Sequence, residues 1–276
     1  TGGRVIITPY FNESLASAKE AVGALKSGLA DIGYYQTFNN PGEFPASDLA
    51  SLPFLFESQY QVVDVYQKLY DEGLLPEYMN QGFKLLGFWA TGAQVFFFKE
   101  KQISTLEQMK GLNIRSQNAV TAEMLTLMGA NPISMASSDL YMSMDRGLLD
   151  GLLSSAGFMS PFKLYEVGKY YLDEPVYYGN GFWAINQKTW DSFTPDLQEI
   201  MGQCFKELID AHNVTSYQSE AVDCINDLKA HNVTFYKLSD SELARWKQTV
   251  QPMVDNFVKK LNGLGLQGQK IVDTVA

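Results

Sequence analysis

STLEQMKGLNIRSQNAVTAEMLTLMGANPISMASSDLYMSMDRGLLDGLLSS, residues 104–155, reads as three helices alternating with three short strands. Ser104 and Glu107 form a capping box for a first short helix, which Gly111 stops. Residues 112–115 make a short β-run. Asn118 caps a second helix that carries Met124, Leu125, Leu127 and Met128 and ends at Gly129. Residues 132–135 are strand-like, Ser137 or Ser138 caps a third helix that stops at Gly147, and residues 149–153 are the third apolar run. Strands alternating with helices of about ten residues predict a parallel sheet with right-handed crossovers.

That topology aims the polar residues. Ligands of an open parallel sheet sit off the carboxyl ends of its strands, where the helix N-termini also point. The three strand ends carry Arg115-Ser116-Gln117-Asn118, Ala136-Ser137-Ser138 and Ser154-Ser155. One of only four arginines in the chain, against 17 lysines, therefore stands within a ring of small hydrogen-bonding residues. A planar guanidinium at a strand end suits bidentate capture of a carboxylate; a surface or domain-packing arginine is the competing reading.

The segments MKGLNIR, GANPISM and DLYMSMDRGLLDG resemble the signature of the solute-binding proteins of tripartite ATP-independent periplasmic (TRAP) transporters. The resemblance extends to KSGLADIGY (26–34), LPFLF (52–56) and FWAINQKTW (182–190), in the family's order and spacing. It implies an α/β fold of two lobes hinged by long strands, closing on an organic acid that is delivered to the transporter's membrane subunits. The family's carboxylate-binding arginine matches Arg115, and Asn118 matches a pocket asparagine. Other pocket positions fall on Ser154, Gln94, Ser137 and Asn180, where relatives place an asparagine, a second arginine, an aromatic and a polar residue. Family members carry about thirty more residues before Gly3, so the first lobe is expected to lack a strand.

Composition excludes other classes. A chain of 276 residues with 46% hydrophobic content can bury one large core or two smaller ones. A net charge of −10 argues against nucleic acid, whose phosphates need a basic face. No apolar run of about 18 residues is present, so no membrane insertion is expected. No charged-then-apolar leader opens the sequence, which suits a periplasmic chain whose signal peptide is absent here. Cys204 and Cys224 fall within one predicted helix, 195–230, roughly 30 Å apart at 1.5 Å per residue, and are expected to be free, largely buried thiols.

Further elements follow in order. Residues 4–10 form a β-run, 14–27 a helix ended by Gly28, and 30–35 a strand. Residues 38–56, rich in Pro, Gly, Asn and Ser, read as a long loop over the first lobe. Tyr34 and Tyr35 at that strand's end are pocket candidates, or aromatic core. Residues 58–73 are helical. Residues 83–98 and 176–186 are long apolar strands suited to crossing between lobes, with crossings near Gly92 and Gly181. Thr194 and Pro195 open the long helix, and Ser239 with Glu242 opens a last one that Pro252 should kink. Lobe I would comprise 1–92 plus about 180–222, and lobe II 93–179 plus about 223–276.

No catalytic, metal or cofactor motif competes. His212 and His231 stand nineteen apart, without metal-ligand spacing. Gly263-Leu-Gly265-Leu-Gln-Gly268 is followed by only eight residues, too few for a dinucleotide-binding unit. The expectation is a monomeric extracytoplasmic solute-binding protein rather than an enzyme, with a ligand-sensing module of the same fold as the runner-up. Arg115 clamps the carboxylate, helped by Asn118, Ser154 and Asn180, with Gln94, Ser137, Tyr34, Tyr35 and Phe182 around the ligand. One arginine beside small and aromatic residues predicts a monocarboxylate with a hydrophobic or aromatic remainder, or a small hydroxy or oxo acid.

Overall fold

A computed structural model of the chain describes residues 1–40, 42–79 and 81–275. The first part holds α1 (Ala21–Ser27), β1 (Ile32–Gln36), α2 (Gln59–Asp71) and the 16-residue β2 (Phe83–Phe98). The alternating part follows as α3 (Leu106–Met109), β3 (Asn113–Ser116), α4 (Ala119–Leu127), β4 (Asn131–Ser134), α5 (Leu140–Asp145), β5 (Gly151–Ser154) and α6 (Ala156–Met159). Next come β6 (Tyr170–Leu172), β7 (Tyr177–Asn186), α7 (Gln187–Ser192) and α8 (Pro195–Tyr217). The chain closes with α9 (Cys224–Ala230), β8 (Thr234–Tyr236), α10 (Asp240–Gly263) and α11 (Gly268–Asp273).

One strand order, β1-β7-β2-β5-β3-β4, joins both lobes, because β2 is long enough to pair with β7 along its first part and with β5 and β6 along its last. β3 pairs in parallel with both β4 and β5, as the alternation of 104–155 requires. Local chemistry agrees. Asn118 Oδ1 accepts the Thr121 N–H at 2.9 Å and starts α4, and Gly129 and Gly147 turn the chain with φ of 82° and 72°. The first capping box is one residue later than expected, on Thr105 and Gln108.

The β2/β7 ladder shifts register between Ala90 and Ala93, so Thr91 and Gly92 bulge shortly before β2 changes partner from β7 to β5 at Val95. The matching point on β7 is Gly179, whose N–H donates to Thr91 Oγ1 at 2.9 Å. Gly181, expected near the crossing, pairs with Trp89 in the ladder two residues before Thr91.

Several readings need correction. Residues 4–10 form no strand and 14–20 no helix; Ile6, Ile7, Tyr10 and Phe11 are exposed. Their apolar pattern is real, but a strand needs a ladder partner, and residues 4–10 pair with no described strand. Of the predicted loop 38–56, residues 44–56 are largely core: Pro45–Ser51 is a 3₁₀ helix, and Phe44, Ala46, Leu49, Leu52 and Phe56 are buried. The long helix runs from Pro195 to Ala230 but switches to π-helix over Gln218–Asp223. Both cysteines are free, yet Cys204 is exposed and Cys224 only half-buried, because α8 turns Met201, Phe205, Ile209 and Asn213 inward and α9 turns Leu228. α10 continues as one helix through Pro252.

Glu77 shows how the buried 3₁₀ segment is tied down. Its Oε1 accepts the Ala46 N–H at 2.9 Å, while its Oε2 is buried without a partner. Burial pushes this carboxyl from an ordinary 4.5 up to about 7. A folded pKa above the unfolded one adds stability below pH 4.5, and that stability is lost as pH rises through 7. Glu77→Gln mimics the protonated form and should keep it. The variant's melting temperature relative to wild type should therefore climb between pH 5 and pH 8, by an amount equivalent to about 3 kcal/mol. A difference that stays flat over that range would contradict the assignment.

Candidate functional site

The carboxyl ends of β3 and β5, the start of β7 and the bulge of β2 meet at one place. Arg115 ends there on β3, 9% exposed. Its Nη2 donates to Ser137 Oγ at 3.3 Å, and its Nε is buried without a partner. Burial lowers its pKa. Among the described residues, Arg4 and Arg245 pair with carboxylates and Arg115 pairs with none. A buried charge without a counter-charge is costly to keep.

Asn180 is buried on β7. Its Oδ1 accepts the Thr37 hydroxyl at 2.9 Å, and its Nδ2 has no partner. Gln94 is also buried, but both ends of its amide are engaged. Nε2 donates to Thr91 Oγ1 at 3.2 Å and to the Gly92 carbonyl at 3.1 Å, while Oε1 accepts from Gln117 Nε2 at 2.9 Å. Gln117 also donates to the Leu153 carbonyl at 3.0 Å. Gln94 and Gln117 thus brace the bulge against the strand ends. Ser154 is buried at the end of β5, opposite Val95. Asn118 has its Oδ1 committed to the α4 cap, so only its amide nitrogen is left to reach outward.

The aromatic candidates lie elsewhere. Phe182 is a core ring surrounded by Tyr35, Phe44, Tyr78 and Phe83 at centroid distances of 5.0–5.7 Å. Tyr35 is buried with it. Tyr34 lies on the opposite sheet face, stacked on Trp89 at 4.4 Å and edge-on to Trp183 and His212. Tyr34 also lines a cavity of about 740 Å³ between β1, residues 7–16 and α8, which contains none of the strand-end polar residues. Strand alternation sends these side chains to the two faces of the first lobe's sheet rather than to Arg115.

Sequence reasoning missed Thr37 and Tyr177. Tyr177 stands directly opposite Gln94 in the β2/β7 ladder, its hydroxyl buried and unpartnered. The predicted strand contained Tyr177, but only the register brings it to the site.

The model of the DctP family, bacterial extracellular solute-binding protein family 7, matches residues 1–261. The chain belongs to that family. TRAP solute-binding proteins of this kind are periplasmic and work with the membrane components of their transporters. The uncharacterized protein YiiZ of Salmonella typhimurium is 26% identical over 275 residues, covering 96% of this chain and 81% of the relative. The C4-dicarboxylate-binding periplasmic protein DctP of Rhodobacter capsulatus is 24% identical over 266 residues, covering 95% of this chain and 79% of the relative. A TRAP periplasmic solute-binding protein of Desulfovibrio salexigens superposes with a TM-score of 0.89 at 23% identity, covering 99% of this chain and 85% of the other. That superposition carries the two-lobed fold of TRAP solute-binding proteins. No described helix is long and apolar enough to cross a membrane.

Proposed function

We propose that this TRAP solute-binding protein captures an organic acid by its carboxylate at Arg115, between lobes hinged at Gly92 and Gly179, and delivers it as a monomer to its transporter. One observation carries this reading: a buried guanidinium with no carboxylate partner among the described residues. A ligand carboxylate supplies the missing counter-charge and turns a desolvation cost into a charge-assisted hydrogen bond. Asn180, Ser137, Ser154 and the amide of Asn118 offer the remaining polar contacts. The role is capture rather than catalysis.

One cationic anchor suits one carboxylate. A second carboxylate or a sugar's row of hydroxyls would need further strong partners, and the buried residues at this place supply none that is charged. With Tyr35 and Phe182 committed to the core and Tyr34 on another face, a small oxo or hydroxy acid fits better than an aromatic body. A thermal-shift screen of organic acids tests the reading. An acid present at a hundredfold excess over its Kd adds about 2.7 kcal/mol, which raises the melting temperature by about 5 °C or more. Small monocarboxylates should give that rise. Stabilisation by dicarboxylates or sugar acids, with no response to monocarboxylates, would overturn it.

A further inference from the structure

The bulge of β2 is held at the peptide groups on both sides of Gly92. On one side the Gly92 N–H donates to Glu220 Oε2 at 3.3 Å, and Glu220 Oε1 accepts the Ser216 hydroxyl at 3.1 Å. On the other, the Gly92 carbonyl accepts from the Thr91 hydroxyl at 2.9 Å and from Gln94 Nε2 at 3.1 Å. Gln94 Oε1 accepts in turn from Gln117 Nε2, which also donates to the Leu153 carbonyl. Gln117 stands two residues after Arg115, and Leu153 adjoins Ser154. A chain of hydrogen bonds through Gly92 therefore links the π-turn of the long helix, Gln218–Asp223, to the two strand ends that carry Arg115 and Ser154.

Two glycines form the seat of Glu220. A Cβ on Gly92 would stand 2.7 Å from Glu220 Oε2, and one on Gly157 of α6 would stand 2.7 Å from its carboxyl carbon. Any larger residue at either position would push the carboxylate away. Gly157 follows Ser154 by three residues, so the same side chain also lies against the helix that leaves the end of β5. Among the described residues no cation pairs with Glu220. A backbone N–H and a hydroxyl hold it instead, and a charged acceptor makes such bonds roughly twice as strong as a neutral one does. An apolar side chain would fill the seat as well if packing were its only task, whereas a carboxylate fixes the N–H of the bulge.

We propose that Glu220 is a positioning residue for the acid site: seated on the bulge, its carboxylate sets, through Gln94 and Gln117, the placement of the strand ends that carry Arg115 and Ser154. Its effect on binding rests on the carboxylate reading above, but its effect on the bulge and on the two glutamines does not. Glu220 touches no ligand in this scheme. It acts from the long helix, through a backbone that both lobes share.

The test begins with the unliganded protein. In Glu220→Ala the Gly92 amide should exchange its hydrogen about tenfold faster or more, because its acceptor is gone. The side-chain amide signals of Gln94 and Gln117 should shift in the ¹⁵N–¹H spectrum. Glu220→Gln keeps an oxygen for the Gly92 N–H and sets its NH₂ against the Ser216 oxygen, so exchange and signals should stay near those of wild type. Calorimetry with pyruvate and lactate then reads the site. Glu220→Ala should bind the acid that wild type binds about threefold to thirtyfold more weakly, the span of couplings carried by such networks, and Glu220→Gln within about twofold of wild type. Gly157→Ala should reproduce the loss by displacing the carboxylate. Combined with Glu220→Ala it should cost no further affinity, since residues acting through one contact are not additive. Faster Gly92 exchange with unmoved glutamine signals and unchanged affinity would reduce Glu220 to a helix fastening and overturn the proposal. An unchanged Gly92 amide would overturn it outright, as would additive losses in the double variant. A wild type that binds neither acid counts against the carboxylate reading, and the unliganded signals still decide the role of Glu220.

Discussion

Arg115→Ala should weaken binding of the captured acid by roughly tenfold to several hundredfold while the protein melts no lower than wild type. The first half follows from the strength of hydrogen bonds to charged groups, about 1.5–3 kcal/mol each, with more than one lost when a guanidinium is truncated. The second half follows from the absence of any carboxylate partner among the described residues. In the unliganded protein the guanidinium stabilises nothing by charge, and its removal strands no buried anion. Arg115→Lys should also lose affinity, because an ammonium is a point charge and cannot present the planar fork. Calorimetry and thermal melting on the same preparations separate the outcomes. Unchanged affinity in both variants would remove Arg115 from the site. A large fall in melting temperature would make it a packing residue.

Gly181→Ala should lower stability by about 3 kcal/mol or more, and the melting temperature by about 10 °C. A Cβ at this position would stand 2.1 Å from the Tyr35 carbonyl oxygen and 2.2 Å from the Trp89 ring. The first obstacle is backbone of the neighbouring strand and cannot swing aside, so β1 must move relative to β7. Gly202 on α8 supplies the control. Its Cβ would meet nothing within 4 Å, so alanine there should raise stability by up to about 1 kcal/mol. Denaturant midpoints, with m unchanged, report both effects. A Gly181→Ala protein of normal stability but altered affinity would restore the crossing role assigned to this glycine from sequence.

Elements whose causes are local were legible in the sequence. The unit 104–155 declares itself through closely spaced signals: Asn118 before its helix, Gly111, Gly129 and Gly147 after theirs, and short apolar runs between. The limits of β2 were readable because sixteen residues from Phe83 carry no break strong enough to end a strand. Elements whose causes are distant were misread. Residues 4–10 have a strand's pattern but no described strand to pair with, and residues 38–56 have a loop's composition but bury Phe44, Leu49 and Phe56 in the larger core, Phe44 against Phe182 of β7. The site divides in the same way. Arg115, Ser137, Ser154 and Asn118 follow from strand ends. Tyr177 depends on pairing with a strand more than eighty residues earlier, and Tyr34, Tyr35 and Phe182 depend on which sheet face each residue takes.

The π-turn in the long helix bears on how the chain tolerates change in length. Such a turn holds one residue more than an α-turn, about 100° of extra rotation. Upstream, Met201, Phe205 and Ile209 face the first lobe, with Ile209 against Gly87; downstream, Leu228 is fully buried in the second lobe's core. Deleting any single residue between 218 and 223 would restore a regular helix, yet it would swing Leu228 out of its core and pull Glu220 off the Gly92 N–H it accepts at 3.3 Å. Insertions and deletions are usually absorbed by loops. Here the extra residue of the π-turn sits inside a helix, and removing it would put the two ends of the helix out of phase with the cores they cover.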